Sequence, residues 1–216
     1  MINRFSSVRW SIVFQWVGAT AVGAVLGGGV IIGLAYIVVS TLGGLGGGLA
    51  AYMSVRALFQ PVVAGAAGLM QWLVLRALGI RAGWWAPATA VGWLAGSVLL
   101  APVADVMFSD LRRPLGYFIA PAIVAGALQW LVLRPSVVAA SRWVGATIAG
   151  WALAAIIALT VIEGMGKGDF LAVRLPEELD GRYFIASALI GIPGTAPIMG
   201  YMLAVMLRGP ISRAEP

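Results

Sequence analysis

Charged residues cut this 216-residue chain into long uncharged runs. Such runs separate Arg56 from Arg76, Arg81 from Asp105, Arg113 from Arg134, Arg142 from Glu163 and Arg182 from Arg208. Each is close to the ~20 apolar residues that a helix needs to cross a ~30 Å hydrocarbon core. The run from Trp10 to Val55 is too long for one such crossing: at ~1.5 Å per residue it would measure over twice the core. Divided in two, it brings the expected total to seven spans, at 12–36, 39–56, 58–76, 84–104, 115–134, 143–163 and 183–207. Arg56 is placed at a span end because arginine at a helix centre costs roughly 2.5–3.5 kcal/mol. The first apolar stretch exceeds the ~7–15 residues of a signal-peptide core and is read as a retained span. Only the connection at 164–182 is long and polar enough to form extramembrane structure, with Phe170–Leu175 as a short surface helix.

Composition agrees with that pattern. The chain is 61% hydrophobic and 10% charged, with a mean hydropathy of +0.98. An ordinary soluble domain carries about 25% charged residues, and a disordered one combines low hydrophobicity with high net charge. Both classes are excluded. The expected fold class is an all-α integral membrane protein, a single transmembrane domain over residues 1–216, in a bacterial inner membrane. There is no cysteine and no histidine. That removes disulfides, thiolate chemistry, Cys-ligated metals, the commonest general base and the usual haem ligand. The net charge of +6 comes from basic residues at the ends of apolar runs, which points to interfacial anchoring and not to nucleic acid. The expected partners are the lipid bilayer and other membrane subunits.

The chain also repeats itself. Residues 64–100 align with 122–158 without a gap, at a step of 58 residues that carries Gln71 to Gln129. QWLVLR stands at 71–76 and again at 129–134, and nine residues after each arginine W-x-x-A-T-x-x-G-W begins, at Trp85 and at Trp143. The offset reaches Asp105 and Glu163, so a duplicated helical hairpin is expected over 64–105 and 122–163. Within each hairpin Gln71 should lie level with Thr89, and Gln129 with Thr147. An interhelical hydrogen bond is expected in each copy, worth about 0.6–2 kcal/mol in a membrane, with a polar ligand site made of both pairs as the functional alternative. Trp72 with Arg76, Trp130 with Arg134, and Trp85 and Trp143 at the starts of the second helices read as interfacial anchors.

WVGAT at 16–20 is identical to 143–147. With seven spans the first runs opposite to its matches, so this is an inverted relic, chance, or evidence against two full spans within residues 36–80. Gly23-x-x-x-Gly27, Gly29-x-x-x-Gly33, Gly44-x-x-x-Gly48 and Gly92-x-x-x-Gly96 allow close helix approach, within the chain or between subunits.

Two features offer chemistry beyond packing. Asp105 and Glu163 are acids at span ends, readable as interfacial residues or as an ion or proton site. Gly191, Pro193, Gly194 and Pro197 fall near the middle of the last span, where they should break or kink the helix, as in transporter substrate sites. No catalytic, cofactor-binding or metal-binding constellation is present, and the chain does not read as an enzyme.

The repeated QWLVLR…WxxATxxGW unit resembles that of bacterial multi-pass membrane proteins of unassigned activity, some from phototrophs. The resemblance covers residues 64–158 and WVGAT at 16–20 and implies no catalytic residues. It implies a companion subunit of an energy-transducing membrane complex. The expected function is therefore a non-enzymatic structural or accessory subunit. The alternative is a transporter or channel for an ion, small solute or lipid, using the last span and the two acids.

Overall fold

The computed structural model describes residues 9–42, 48–99, 113–164 and 192–207. These form six helices and no strand among the described residues: α1 Trp10–Leu42, α2 Gly48–Ala77, α3 Trp85–Leu99, α4 Arg113–Leu133, α5 Arg142–Gly164 and α6 Ile192–Met206. Two stretches, Trp10–Val38 and Leu58–Ala77, are long and apolar enough to cross a membrane.

The division expected at 56–58 is not found. Residues 39–42 finish α1, and Gly48–Ala77 is one helix that runs through Arg56 and carries Pro61 in its interior. The seven expected spans thus correspond to six described helices. The premise that failed was the placing of Arg56 at a span end; it stands about two turns inside α2. The expected connection at 164–182, its surface helix and Asp105 lie outside the described residues.

The six helices close on themselves. Successive helices pack side by side from α1 to α6, and α6 packs against α1. Neighbours run antiparallel: Gly23 and Gly27 of α1 face Ala67 and Val63 of α2, and Gly92 and Gly96 of α3 face Ala125 and Pro121 of α4. With two helices in place of three spans between Trp10 and Ala77, α1 runs in the same direction as α3 and α5. WVGAT at 16–20 therefore points the same way as its match at 143–147, and the conflict read from the sequence disappears.

Short turns at one end of the ring fix this order. The α2–α3 turn ends α2 with a bond from the Ile80 N–H to the Leu75 carbonyl (2.9 Å), around Gly79 at φ +76°. A side chain is strained at that φ, so glycine fits there. The α4–α5 turn uses Pro135 after the helix, with the Val137 N–H on the Leu133 carbonyl (2.9 Å).

The core sits near these turns. Trp16, Trp85, Trp143, Leu75, Leu133 and Leu203 are all fully buried there in one cluster. The outer face of α1 carries large apolar side chains in the open, among them Phe14, Val25, Ile32 and Tyr36, each at least 70% exposed. Gly29 and Gly33 have open space where a Cβ would point, so only part of the expected glycine pattern packs within the chain. Gly44 lies outside the described residues.

At Gly92 a Cβ would collide with the Ala125 backbone, whereas at Gly29 it would meet nothing. Gly92→Leu is expected to lower stability by about 1–3 kcal/mol through overpacking. Gly29→Ala, on an open helix face, should be neutral or stabilise by up to about 1 kcal/mol. Thermal unfolding followed by circular dichroism in detergent checks both.

Candidate functional site

Three indoles meet where α1, α3 and α5 begin. Trp16, Trp85 and Trp143 lie 5.3–5.8 Å apart between ring centroids and cross edge to face at 69–78°. This arrangement sets the positive edge of one ring against the negative face of the next. The expectation that Trp85 and Trp143 are surface anchors is corrected here: both are wholly enclosed. Each starts a helix, but on the face that turns into the ring. Trp72 and Trp130, by contrast, are half-buried, with the Arg76 guanidinium 5.5 Å and the Arg134 guanidinium 6.0 Å from their ring centroids. Those two pairs stand beside one another as expected.

One turn above each central indole is a threonine. Thr20, Thr89 and Thr147 donate to the carbonyls of Trp16, Trp85 and Trp143 at 2.8, 2.8 and 2.9 Å. A helical threonine bonded to the carbonyl four residues earlier keeps its oxygen lone pairs available as acceptors. Glutamines from the intervening helices use them. Gln71 of α2 donates from Nε2 to Thr20 Oγ1 (2.9 Å) and accepts at Oε1 from Trp85 Nε1 (3.1 Å). Gln129 of α4 donates to Thr89 Oγ1 (2.8 Å) and accepts from Trp143 Nε1 (2.8 Å).

The expected partners were therefore wrong while the expected depth was right. Gln71 does not bond Thr89, nor Gln129 Thr147. Each amide oxygen is taken by the indole of the following helix, and each amide nitrogen reaches back to the threonine of the preceding one. Gln71 and Gln129 thus each tie together three helices instead of two.

By position, the third member of this series falls on α6. Ala67, Ala125 and Thr195 face Gly23, Gly92 and Gly150, and four residues after them come Gln71, Gln129 and Met199. Four residues further, Leu75, Leu133 and Leu203 are each fully buried. Met199 thus stands where a third glutamine would. A thioether has no N–H and is only a weak acceptor. The Trp16 indole N–H is correspondingly the buried side-chain polar group that lacks a hydrogen-bond partner among the described residues.

Above this layer lies a cavity of about 70 Å³ to which all six helices contribute. Thr20, Gln71, Thr89, Gln129, Thr147, Thr195 and Met199 line its polar part, and Phe59, Trp93, Phe118 and Trp151 its aromatic wall. Trp93 and Trp151 meet edge to face at 4.5 Å, and Phe118 lies parallel to Trp151 at 5.9 Å. Gln60 reaches the same space and accepts from Ser97 Oγ at 2.7 Å. Among the described residues, no lining side chain is charged.

The last helix is not broken over its described length. Pro193 and Gly194 lie in the first turn of α6, and Pro197 sits within it on the exposed side, while Thr195, Ala196 and Met199 face inward. The break was expected between the two halves of a span at 183–207, and its first half, with Gly191, lies outside the described residues. Glu163 is in the last turn of α5, and its side chain, like the whole of Asp105, is outside the description. Trp16 and Thr20 were signalled in the sequence by WVGAT. Met199 was not singled out; only its spacing to Thr195 and Leu203 echoes the two glutamine helices.

No family model, curated protein or solved structure matches this chain.

Replacing Gln129 by leucine strands the Trp143 indole N–H and removes the donor to Thr89. A buried group left unpaired costs about 1–3 kcal/mol. Gln129→Leu should therefore lower thermal stability in detergent by that amount, and Gln71→Leu should do likewise at Trp85. A double-mutant cycle of Gln129→Leu with Thr89→Val should give a non-zero coupling energy, larger than that of Gln129→Leu with Thr147→Val, which are linked only through Trp143.

Proposed function

We propose that this chain is a multi-pass membrane protein whose ring of helices encloses a binding chamber for a small neutral solute. The observation that carries the reading is the chamber itself: about 70 Å³, bordered by all six helices and lined by hydroxyl and amide groups and aromatic rings, with no charge among the described residues that line it. At ~10–15 Å³ of such volume per water, this is room for roughly five water molecules, or a solute of comparable size. A membrane setting is supported by the mean hydropathy, the two long apolar helices and the large apolar side chains on the outer faces. A duplicated hairpin is supported by the identical Gln–Thr and Trp–Gln contacts made in successive thirds of the ring.

An uncharged lining favours neutral cargo. An ion crossing here would lose its hydration without a counter-charge, at a cost of many kcal/mol. The solute-handling alternative read from the sequence thus becomes the leading one, without its reliance on Asp105 and Glu163. The accessory-subunit reading retains one specific support, the open outer face of α1 with Val25, Ile32 and Tyr36 beside Gly29 and Gly33.

The test uses the detergent-solubilised chain with ¹⁵N-labelled indoles. Butanone and propionamide, two neutral solutes of matched shape, should move the Trp93 and Trp151 indole resonances saturably. Propionate should not. Ala64→Phe, which fills the lining beside them, should abolish the response. Indoles that ignore both neutral solutes, or respond equally in Ala64→Phe, would overturn the proposal.

A further inference from the structure

The ring contains three Trp–Thr units but only two glutamines to join them. In two thirds of the ring an amide lies between the threonine of one odd-numbered helix and the tryptophan of the next, accepting from the indole and donating to the hydroxyl. In the remaining third, between Thr147 of α5 and Trp16 of α1, stands Met199. The register that places it there is given by the contact of Gly150 with Thr195, matching Gly23 with Ala67 and Gly92 with Ala125. The mismatch has a visible consequence: Trp16 is fully buried, and its N–H has no partner among the described residues.

Gln71, Gln129 and Met199 all line the chamber. The indoles of Trp85 and Trp143 point to the first two. Trp16, related to Met199 by the same register, is the third indole of that layer. An unpaired indole N–H in a low-dielectric interior is a standing incentive to bind an acceptor. Methionine is the side chain best suited to yield the space, since it is unbranched with three rotatable bonds and repacks easily.

We propose that the Thr147–Met199–Trp16 third of the ring is a recognition subsite for the carboxamide end of a small neutral ligand. The ligand takes the part of the absent glutamine. Its carbonyl oxygen accepts from Trp16 Nε1, its N–H donates to Thr147 Oγ1, and its remaining atoms lie in the chamber against the aromatic wall. Met199 swings aside to admit it. This rests on the chamber reading given above and names the chemistry that the chamber selects. A ligand with an acceptor alone satisfies Trp16 but leaves Thr147 without a donor, so it binds more weakly.

The experiment titrates propionamide and butanone into the full chain in detergent and follows the Trp16 indole resonance, assigned by its loss in Trp16→Phe. In the native chain propionamide should move this signal downfield with about tenfold higher affinity than butanone, the equivalent of one additional hydrogen bond. Met199→Gln supplies the missing amide from the protein. It should shift the Trp16 signal in the same direction with no ligand present and weaken propionamide binding at least about tenfold. Met199→Ala, which leaves the space open and can neither donate nor accept, should bind propionamide at least as tightly as the native chain and still in preference to butanone, and guards against misfolding of the glutamine variant. If Trp93 and Trp151 respond while Trp16 does not, the subsite is wrong and the chamber stands. If no indole responds, both fail. Equal affinity for the two solutes at Trp16 also overturns the carboxamide assignment.

Discussion

The core of this molecule is organised around the need to pair a few polar groups among packed apolar helices. Three indole N–H groups, three threonine hydroxyls and two primary amides lie in one layer between packed helices. Each unpaired group there would cost a substantial share of the few kcal/mol by which such a fold is stable. Threonine settles part of the demand locally by donating to its own helix. Glutamine settles the rest across helices, because its amide carries both a donor and an acceptor at the end of a side chain long enough to reach two neighbours. Helix order, helix direction and register must all agree for both bonds of one glutamine to form, so these bonds specify the ring as well as stabilise it.

The glycines serve the same layer. Amide-to-hydroxyl distances of 2.8–2.9 Å across helices require backbones in close approach, and Gly23 and Gly92 provide it one turn beyond Thr20 and Thr89. A side chain at either would push α1 from α2 or α3 from α4, and the loss would fall on the polar pairs as much as on the packing. Gly68 and Gly126 do the equivalent on the other side, against Thr89 and Thr147. Small residues and polar residues are usually treated as separate means of joining apolar helices. Here the first sets the distance at which the second can operate.

The sequence made the helical class, the paired glutamines and threonines, and their common depth legible, because these follow from spacing along a helix of fixed rise. It did not reveal partners, because partner choice depends on which helix lies on which side. Read as one isolated hairpin, Gln71 has only Thr89 to meet; in a closed ring it lies between Thr20 and Trp85. The same limit hid the burial of Trp85 and Trp143: a tryptophan at a helix start is an anchor if it faces outward and a core residue if it faces in, and spacing alone does not distinguish the two. The WVGAT match at 16–20 contained the missing information. Taken at face value, it demanded a first helix parallel to the third and fifth, which excludes an extra span before Arg76. The penalty for a central arginine outweighed it, and that penalty does not forbid an Arg56 two turns inside a long helix.

Met199 shows why the last third of the ring was the hardest to read. Two glutamine helices share QWLVLR and are found by comparison; the helix from Ile192 to Met206 shares little but spacing. That divergence is itself informative. Apolar positions may drift among leucine, valine and methionine at small cost, since packing tolerates swaps of similar volume. A glutamine bonded to a buried indole may not, because its loss strands a donor. A methionine at the glutamine position, with the Trp16 N–H left bare, therefore breaks the rule that governs the other two thirds. The departure lies on the wall of an uncharged chamber, where an outside amide could meet the same geometric demand. A uniform ring with three glutamines would be closed chemically as well as spatially. The ring with two is closed in space and open, at one place, to hydrogen-bonding chemistry from outside the chain.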